Sequence, residues 1–146
     1  VTASALGEGV SVLEILRDDA LHATEDGFVL RICLPWIRSL PLASVVFLTT
    51  AIDGEPVEEL DVVLGQRTIP VGHVSGEAGW WFVQDRLVVG GRRHLTPGPH
   101  DVRVSFDLIV PYLAAGPQGP LQLPFRRERT LDTSAASVPT VALDVA

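Results

Sequence analysis

"DVRVSFDLIV" (residues 101–110) is the stretch whose reading decides the fold. Val102, Val104, Phe106, Leu108 and Val110 fall on one side of an extended chain, and Asp101, Arg103, Ser105 and Asp107 on the other. A strand written this way is buried on one face and wet on the other. Its sheet must therefore lay the apolar face on a second layer. Burying one side chain such as Phe106 contributes roughly 1.5–3 kcal/mol. A handful of such strands offsets chain entropy without a metal or a disulfide.

The two-residue period recurs on both sides of this strand. "DGFVLRICL" (26–34) puts Phe28, Leu30, Ile32 and Leu34 on one face. "VVFLTTAI" (45–52) is rich in β-branched residues and runs into "DGEP" (53–56), a turn in which Gly54 is free to take positive φ. "LDVVL" (60–64) and "RTIPV" (67–71) flank a short "GQ" as a hairpin. "GHVSGEAG" (72–79) reads as a loop, "WWFVQDRLVV" (80–89) as an extended run bent or bulged near Gln84–Asp85, and "GGRRHLTPGPH" (90–100) as a long turn. "AAGPQGP" (114–120) is a Pro/Gly loop before "LQLPFRRERTLDT" (121–133), a strand that Pro124 places at an edge or a bulge. "SVLEILRDDAL" (11–21) carries both helical and extended spacing, and its context favours a strand. Roughly eight to ten short strands punctuated by turns predict an all-β, single-domain antiparallel β-sandwich, jelly-roll-like or immunoglobulin-like, with little or no helix. The domain is expected over 1–133, with 134–146 a tail that forms a last strand or frays.

A chain of 146 residues is long enough for a real core, and its 47% apolar content excludes a disordered protein. The formal net charge is −7 and every basic residue is Arg. No basic face is available to neutralise phosphates, so no nucleic-acid partner is expected. The lone Cys33 cannot close an internal disulfide, and alternation places it beside Arg31, away from the face of Ile32 and Leu34. A secreted scaffold would carry paired cysteines, so a reducing, cytoplasmic location is expected. Residues 1–12 lack the basic start and apolar run of a signal peptide. No window approaches a membrane-spanning apolar stretch, so no membrane partner is expected.

No constellation spells an active site. His22, His73, His94 and His100 show no metal-ligand spacing. His94 and His100 bracket a proline turn and could meet in space, a pair with no acid or Cys assigned to it. The carboxylates mostly flank turns, and nothing in sequence sets two of them across a cleft. "GGRR" (90–93) lacks the remainder of a phosphate loop, and Ser75 in "HVSGE" lies outside a nucleophile elbow. "FRRER" (125–129) is the one basic cluster. As a strand it puts Arg126 and Glu128 on one face and Arg127 and Arg129 on the other, either a charge-protected edge or a contact for an acidic partner. No catalytic and no metal-binding residue is therefore assigned to the chain.

The aromatics are few, so their placement matters. Trp80 and Trp81 are adjacent in an extended run, so one faces the core while the other is exposed or at an interface. "LPWIRSLPL" (34–42) sets Trp36 and Arg38 in a loop braced by Pro35 and Pro41. Two prolines cut the loop's unfolded-state freedom, and Trp and Arg are prominent among interface hot spots. Trp36 reads equally as a docking residue and as a plug folded over the end of the sandwich.

"DGFVLRICLPWIRSLPLASVVFLTTAIDGEPV" (26–57) resembles the start of the small (β) subunit of bacterial C-glycoside deglycosidases. The shared pattern is a strand with Arg31, Leu34 and Pro35, an aromatic at Trp36, then Arg38, Leu40, Pro41 and Leu42, and a strand closing on Asp53, Gly54 and Glu55. "WFVQDRLVV" (81–89), "LTPGPHDVRVSFDLIVPYL" (95–113) and "RERTL" (127–131) follow in the same order, so the resemblance covers about residues 18–132. Trp36 stands where the pattern has Tyr, and Ser39 where it has Gly.

The resemblance implies a non-catalytic β-sandwich subunit that docks on and stabilises a larger α subunit. That partner would be a sugar-isomerase-like TIM barrel holding a divalent metal, expected to be Mn²⁺, and the catalytic base. The pair would cleave the C–C bond between a 3-keto sugar and an aromatic aglycone such as a flavonoid. The ketone acidifies a neighbouring C–H, a base removes that proton, and the aglycone leaves by β-elimination, with the metal a Lewis acid on the enolate. The docking residues expected on this chain are Trp36, Arg38, Leu40, Pro41, Tyr112 and Arg127, in a hetero-oligomer of α–β units with no cofactor bound by this chain. Two other classes stay open: a free-standing carbohydrate-binding sandwich using Trp80 or Trp81, and an enzyme active without a partner.

Overall fold

Strands carry nearly all the regular structure in the computed structural model, which describes residues 14–114, 116–117, 119–134 and 143–145. In chain order they are β1 (Leu21–Ala23), β2 (Phe28–Cys33), β3 (Leu40–Pro41), β4 (Val45–Ile52), β5 (Glu55–Pro56), β6 (Leu60–Leu64), β7 (Arg67–Pro70), β8 (Trp80–Trp81), β9 (Arg86–Gly91), β10 (Pro99–Ala114) and β11 (Pro120–Asp132). Helix among the described residues is confined to two 3₁₀ turns, Leu42–Ser44 and Val71–Gly76.

The strands form a five-stranded sheet, β1-β2-β9-β6-β7, a four-stranded sheet, β11-β10-β4-β5, and the short pair β3-β8. Leu30, Ile32, Val62, Leu87 and Val89 of the first sheet share one core with Ile52, Val102, Val104, Phe106 and Leu108 of the second. The architecture is the expected antiparallel β-sandwich. β10 is buried at each even position from Val102 to Val110, as its alternation dictates. It runs beyond 101–110 at both ends because β11 pairs with it from Pro99 to Ala114. β11 is an edge strand, which is what Pro124 requires. The β4–β5 hairpin closes on Asp53 (φ 52) and Gly54 (φ 84), the two positive φ values of a tight hairpin turn.

Several expectations are corrected. Of the segment 11–21, residues 11–13 lie outside the described residues, and 14–20 are irregular rather than a strand. The Ala20 N–H donates to the Arg17 carbonyl in a turn that carries Asp18 and Asp19. The segment still lies along β2, where the Ile15 and Ala20 carbonyls accept from the Cys33 and Arg31 N–H groups. The run 80–89 is two strands, β8 and β9, separated by a turn in which the Asp85 N–H donates to the Phe82 carbonyl. Gly90 and Gly91 belong to β9 instead of the following loop. Of the tail, residues 135–142 and 146 lie outside the described residues, and Asp144 forms a parallel bridge with Arg86.

One feature of β4 has no counterpart in the sequence pattern. Val46 stands opposite Asp107 and Thr49 opposite Ser105, so β4 holds one residue more than β10 between these pairs. Phe47 lies in this bulge with φ 58.

Candidate docking face

The loop between β2 and β4 is fixed from both sides. Leu34 and Pro35 are buried, and the partly buried Trp36 packs against the core. Its indole Nε1–H donates to the Tyr112 hydroxyl at 2.5 Å, reaching the far end of β10. The Arg38 guanidinium lies over the Tyr112 ring, 5.3 Å from its centroid, a cation–π arrangement. Further along, Pro41 pairs with Trp80 and Leu40 with Trp81. The Val83 N–H donates to Ser39 Oγ at 2.8 Å, which ties the loop to the β8–β9 turn.

Three of the expected contact residues, Trp36, Arg38 and Tyr112, therefore meet in one cluster. Pro41 borders it through Trp80. Leu40 does not reach the surface: it is 1% exposed and belongs to the core, where it holds the loop in place. Arg127 lies elsewhere, on β11 opposite Val104, with its Nε 3.5 Å from Glu14 Oε1. The plug reading of Trp36 is seen in its ring, which packs against the core, while its N–H is taken up by Tyr112. Trp81 is buried and Trp80 half exposed, the split their adjacency requires.

The sequence reading missed how apolar the surroundings are. Ile37 is 71% exposed and Phe82 55%, and Val83, Tyr112, Leu113 and Leu143 are also exposed. Leu143 joins this end because its N–H faces Asp85 Oδ1 at 3.4 Å and its carbonyl accepts from the Arg86 N–H. An apolar residue in a loop carries no sequence mark that tells a buried ring from an exposed one. Exposed apolar side chains gathered at one end of a domain are the kind of surface that marks an interaction site. Among the described residues no carboxylate forms a salt bridge with Arg38. The end is thus a firm apolar face with one available cation, suited to a protein surface that offers a carboxylate.

Groups capable of chemistry lie away from this face. His100, buried near the start of β10, has Nδ1 2.7 Å from Asp53 Oδ2 and Nε2 2.7 Å from the Thr96 carbonyl. Both neighbours are acceptors, an arrangement in which the protonated ring donates from both nitrogens. The Thr96 carbonyl and the Asp53 carboxylate raise its pKa, and the His100 hydrogen bond lowers that of Asp53. With both nitrogens engaged the ring is a clasp, not a base. The acid that sequence did not assign to His100 is Asp53. Among the described residues no group of three His, Cys, Asp or Glu side chains converges as a metal site. A shallow hollow of about 280 Å³ lined by Glu14, Arg17, Asp18, Asp19 and Arg129 holds ion pairs, with Arg129 bonded to Asp18 and to the Leu16 carbonyl.

No family model matches the chain. It is similar to the 3'-dehydrocarminate deglycosidase beta subunit of Microbacterium sp, 29% identical over 103 residues that cover 68% of this chain and 78% of the relative. The chain resembles a deglycosidase β subunit. The comparison thus agrees with the resemblance carried by residues 26–57. The relative's description as a beta subunit implies that it works beside a partner subunit.

Proposed function

We propose that this chain is the non-catalytic β subunit of a C-glycoside deglycosidase and that it docks on the α subunit through the Trp36–Arg38–Tyr112 end. The observation that carries the reading is the apolar face at that end, held rigid by hydrogen bonds to Tyr112 and Ser39, on a chain similar to a deglycosidase beta subunit. Ile37, Trp80 and Phe82 would supply area, and Arg38 would meet an acidic side chain of the partner. In this reading the α subunit is a sugar-isomerase-like barrel that owns the Mn²⁺ and the base. The complex releases an aromatic aglycone, such as a flavonoid, from a 3-oxo-C-glycoside by β-elimination. The β subunit steadies the barrel and shapes the substrate entrance, in a cytoplasm that keeps Cys33 a thiol.

The test is assembly and turnover with the α subunit. Trp36→Ala and Arg38→Glu are each expected to weaken assembly by about tenfold or more, with C–C cleavage falling in step. Full assembly and activity in both variants would remove this end from the account. Sugar binding by the isolated chain, lost on Trp80→Ala, would instead favour a carbohydrate-binding module.

A further inference from the structure

The strand edge at the start of β9 is filled from far along the chain. β6 pairs with β9 from Gly91 back to Val88, and the chain then turns at Gly65 (φ 64) into β7. Arg86 is therefore left without a β6 partner. On its other side, the Cys33 N–H donates to the Ile15 carbonyl, away from β9. The Cys33–Arg86 pair is thus a non-hydrogen-bonded one, and the Arg86 backbone groups face the open side. There residues 143–145 complete the ladder. The Arg86 N–H donates to the Leu143 carbonyl at 2.8 Å, and the Val145 N–H donates to the Arg86 carbonyl at 2.9 Å. Asp144 stands opposite Arg86 in a parallel bridge.

Side chains alternate here as they do when a peptide adds a strand to a sheet. Val145 turns inward, where it is 3% exposed and joins the core. Asp144 turns to the other face, where Arg31 Nε and Nη2 hold its two oxygens at 3.0 and 3.2 Å. The site thus reads a carboxylate and the aliphatic residue that follows it, over main-chain hydrogen bonds that any sequence can make. The fastening is light. One buried side chain, two backbone hydrogen bonds and a partly exposed ion pair offset the entropy of ordering the segment. β10, by contrast, is held between two strands.

We propose that the start of β9 is an acceptor slot for an extended acidic peptide, one carrying Asp followed by an aliphatic residue, and that residues 143–145 occupy it as a releasable strap while the sandwich stays folded. The tethered strap competes at an effective concentration on the order of millimolar. The slot therefore accepts a strand from another polypeptide when the strap's own carboxylate is lost. The assignment is independent of the β-subunit reading.

Two measurements on the full chain test it. In native-state hydrogen exchange, the wild-type Arg86 and Val145 amides are expected to exchange at least about 100-fold faster than the Val104 amide, through local opening. Equal rates for all three would make the segment a fixed strand and overturn the strap. A fluorescent peptide of residues 141–146, VALDVA, is then titrated into wild type and Asp144→Ala. Asp144→Ala is expected to melt within about 3 °C of wild type and to bind the peptide at least about tenfold more tightly. Adding Arg31→Gln to that variant is expected to abolish binding. The peptide carrying Asp144→Asn is expected to bind at least about tenfold more weakly. No binding to the Asp144→Ala chain, or equal binding of the Asn peptide, would overturn the assignment. A chain unfolded by Asp144→Ala would show that the sandwich needs the strap, and that too would overturn it.

Discussion

Arg86 carries a charge into the interior and ties separate stretches of chain to it. Its Nη1 donates to Asp19 Oδ1 at 2.9 Å, and both side chains are nearly buried. Its backbone N–H donates to the Leu143 carbonyl, and its own carbonyl accepts from the Val145 N–H. Arg31, on the neighbouring strand, grips the Asp144 carboxylate with two hydrogen bonds at 3.0 and 3.2 Å. Removing Asp19 strips the buried guanidinium of this counter-charge. Asp19→Ala is expected to cost roughly 3–5 kcal/mol, read as a lower urea midpoint, whereas an apolar pair at both positions should recover much of it. Cys33 stands opposite Arg86 in the β2–β9 register. Burial pushes its thiol pKa up, so alkylation is expected to be slow until the chain unfolds.

At the scale of elements, β2 and β9 meet through two glycines. A Cβ on Gly27 would lie 1.9 Å from the Gly91 carbonyl oxygen, and one on Gly91 would lie 2.4 Å from the Phe28 ring. Gly27→Ala is therefore expected to cost roughly 3 kcal/mol in chemical denaturation, and a wild-type midpoint would contradict this packing. The same glycines hid the end of β9 from sequence reading, because Gly lowers strand propensity while serving close approach. A second junction is the His100 clasp between the start of β10, the β4–β5 turn and Thr96. Its imidazolium pKa is raised, so its contribution is full below the ordinary value of about 6.5 and fades as pH rises through the folded value. The Asp53 pKa is lowered, so its contribution holds above about 3.9 and is lost as pH falls through the folded value. Arg93 and Asp132 also act on this junction: Arg93 opposes His100 protonation, and the His100 charge helps hold the Asp132 pKa down. Asp53→Asn is expected to flatten the fall in melting temperature on the alkaline side. An unchanged pH profile would dissociate the clasp from stability.

For the whole molecule, local periodicity revealed the sandwich and long-range pairing did not. Alternation in β10, the Asp53-Gly54 turn and Pro124 on an edge were legible because each is a property of neighbours in sequence. The Phe47 bulge, the Arg86 tie and the irregular course of 14–20 depend on partners far along the chain. The candidate site divides the same way. Trp36, Arg38 and Tyr112 stood out by residue type, but the contact across 76 positions that joins Trp36 to Tyr112 is tertiary. Ile37, Phe82 and Leu143 were passed over because hydropathy does not say which way a loop side chain turns. Exposure at that end makes a further expectation. Ile37→Asp should change folding stability by no more than about 0.5 kcal/mol while reducing self-association of the isolated chain in sedimentation. A large loss of stability would show that Ile37 packs inside.

Trp36 meets the single tyrosine at one end of β10, Trp80 pairs with the same loop, Trp81 lies in the core against Phe106, and the His100 clasp sits at the other end of β10. Ultraviolet emission from the unlabelled protein is therefore a one-sided reporter. It will respond when something settles on the Trp36 pole, and it will stay nearly silent while the histidine pole loosens.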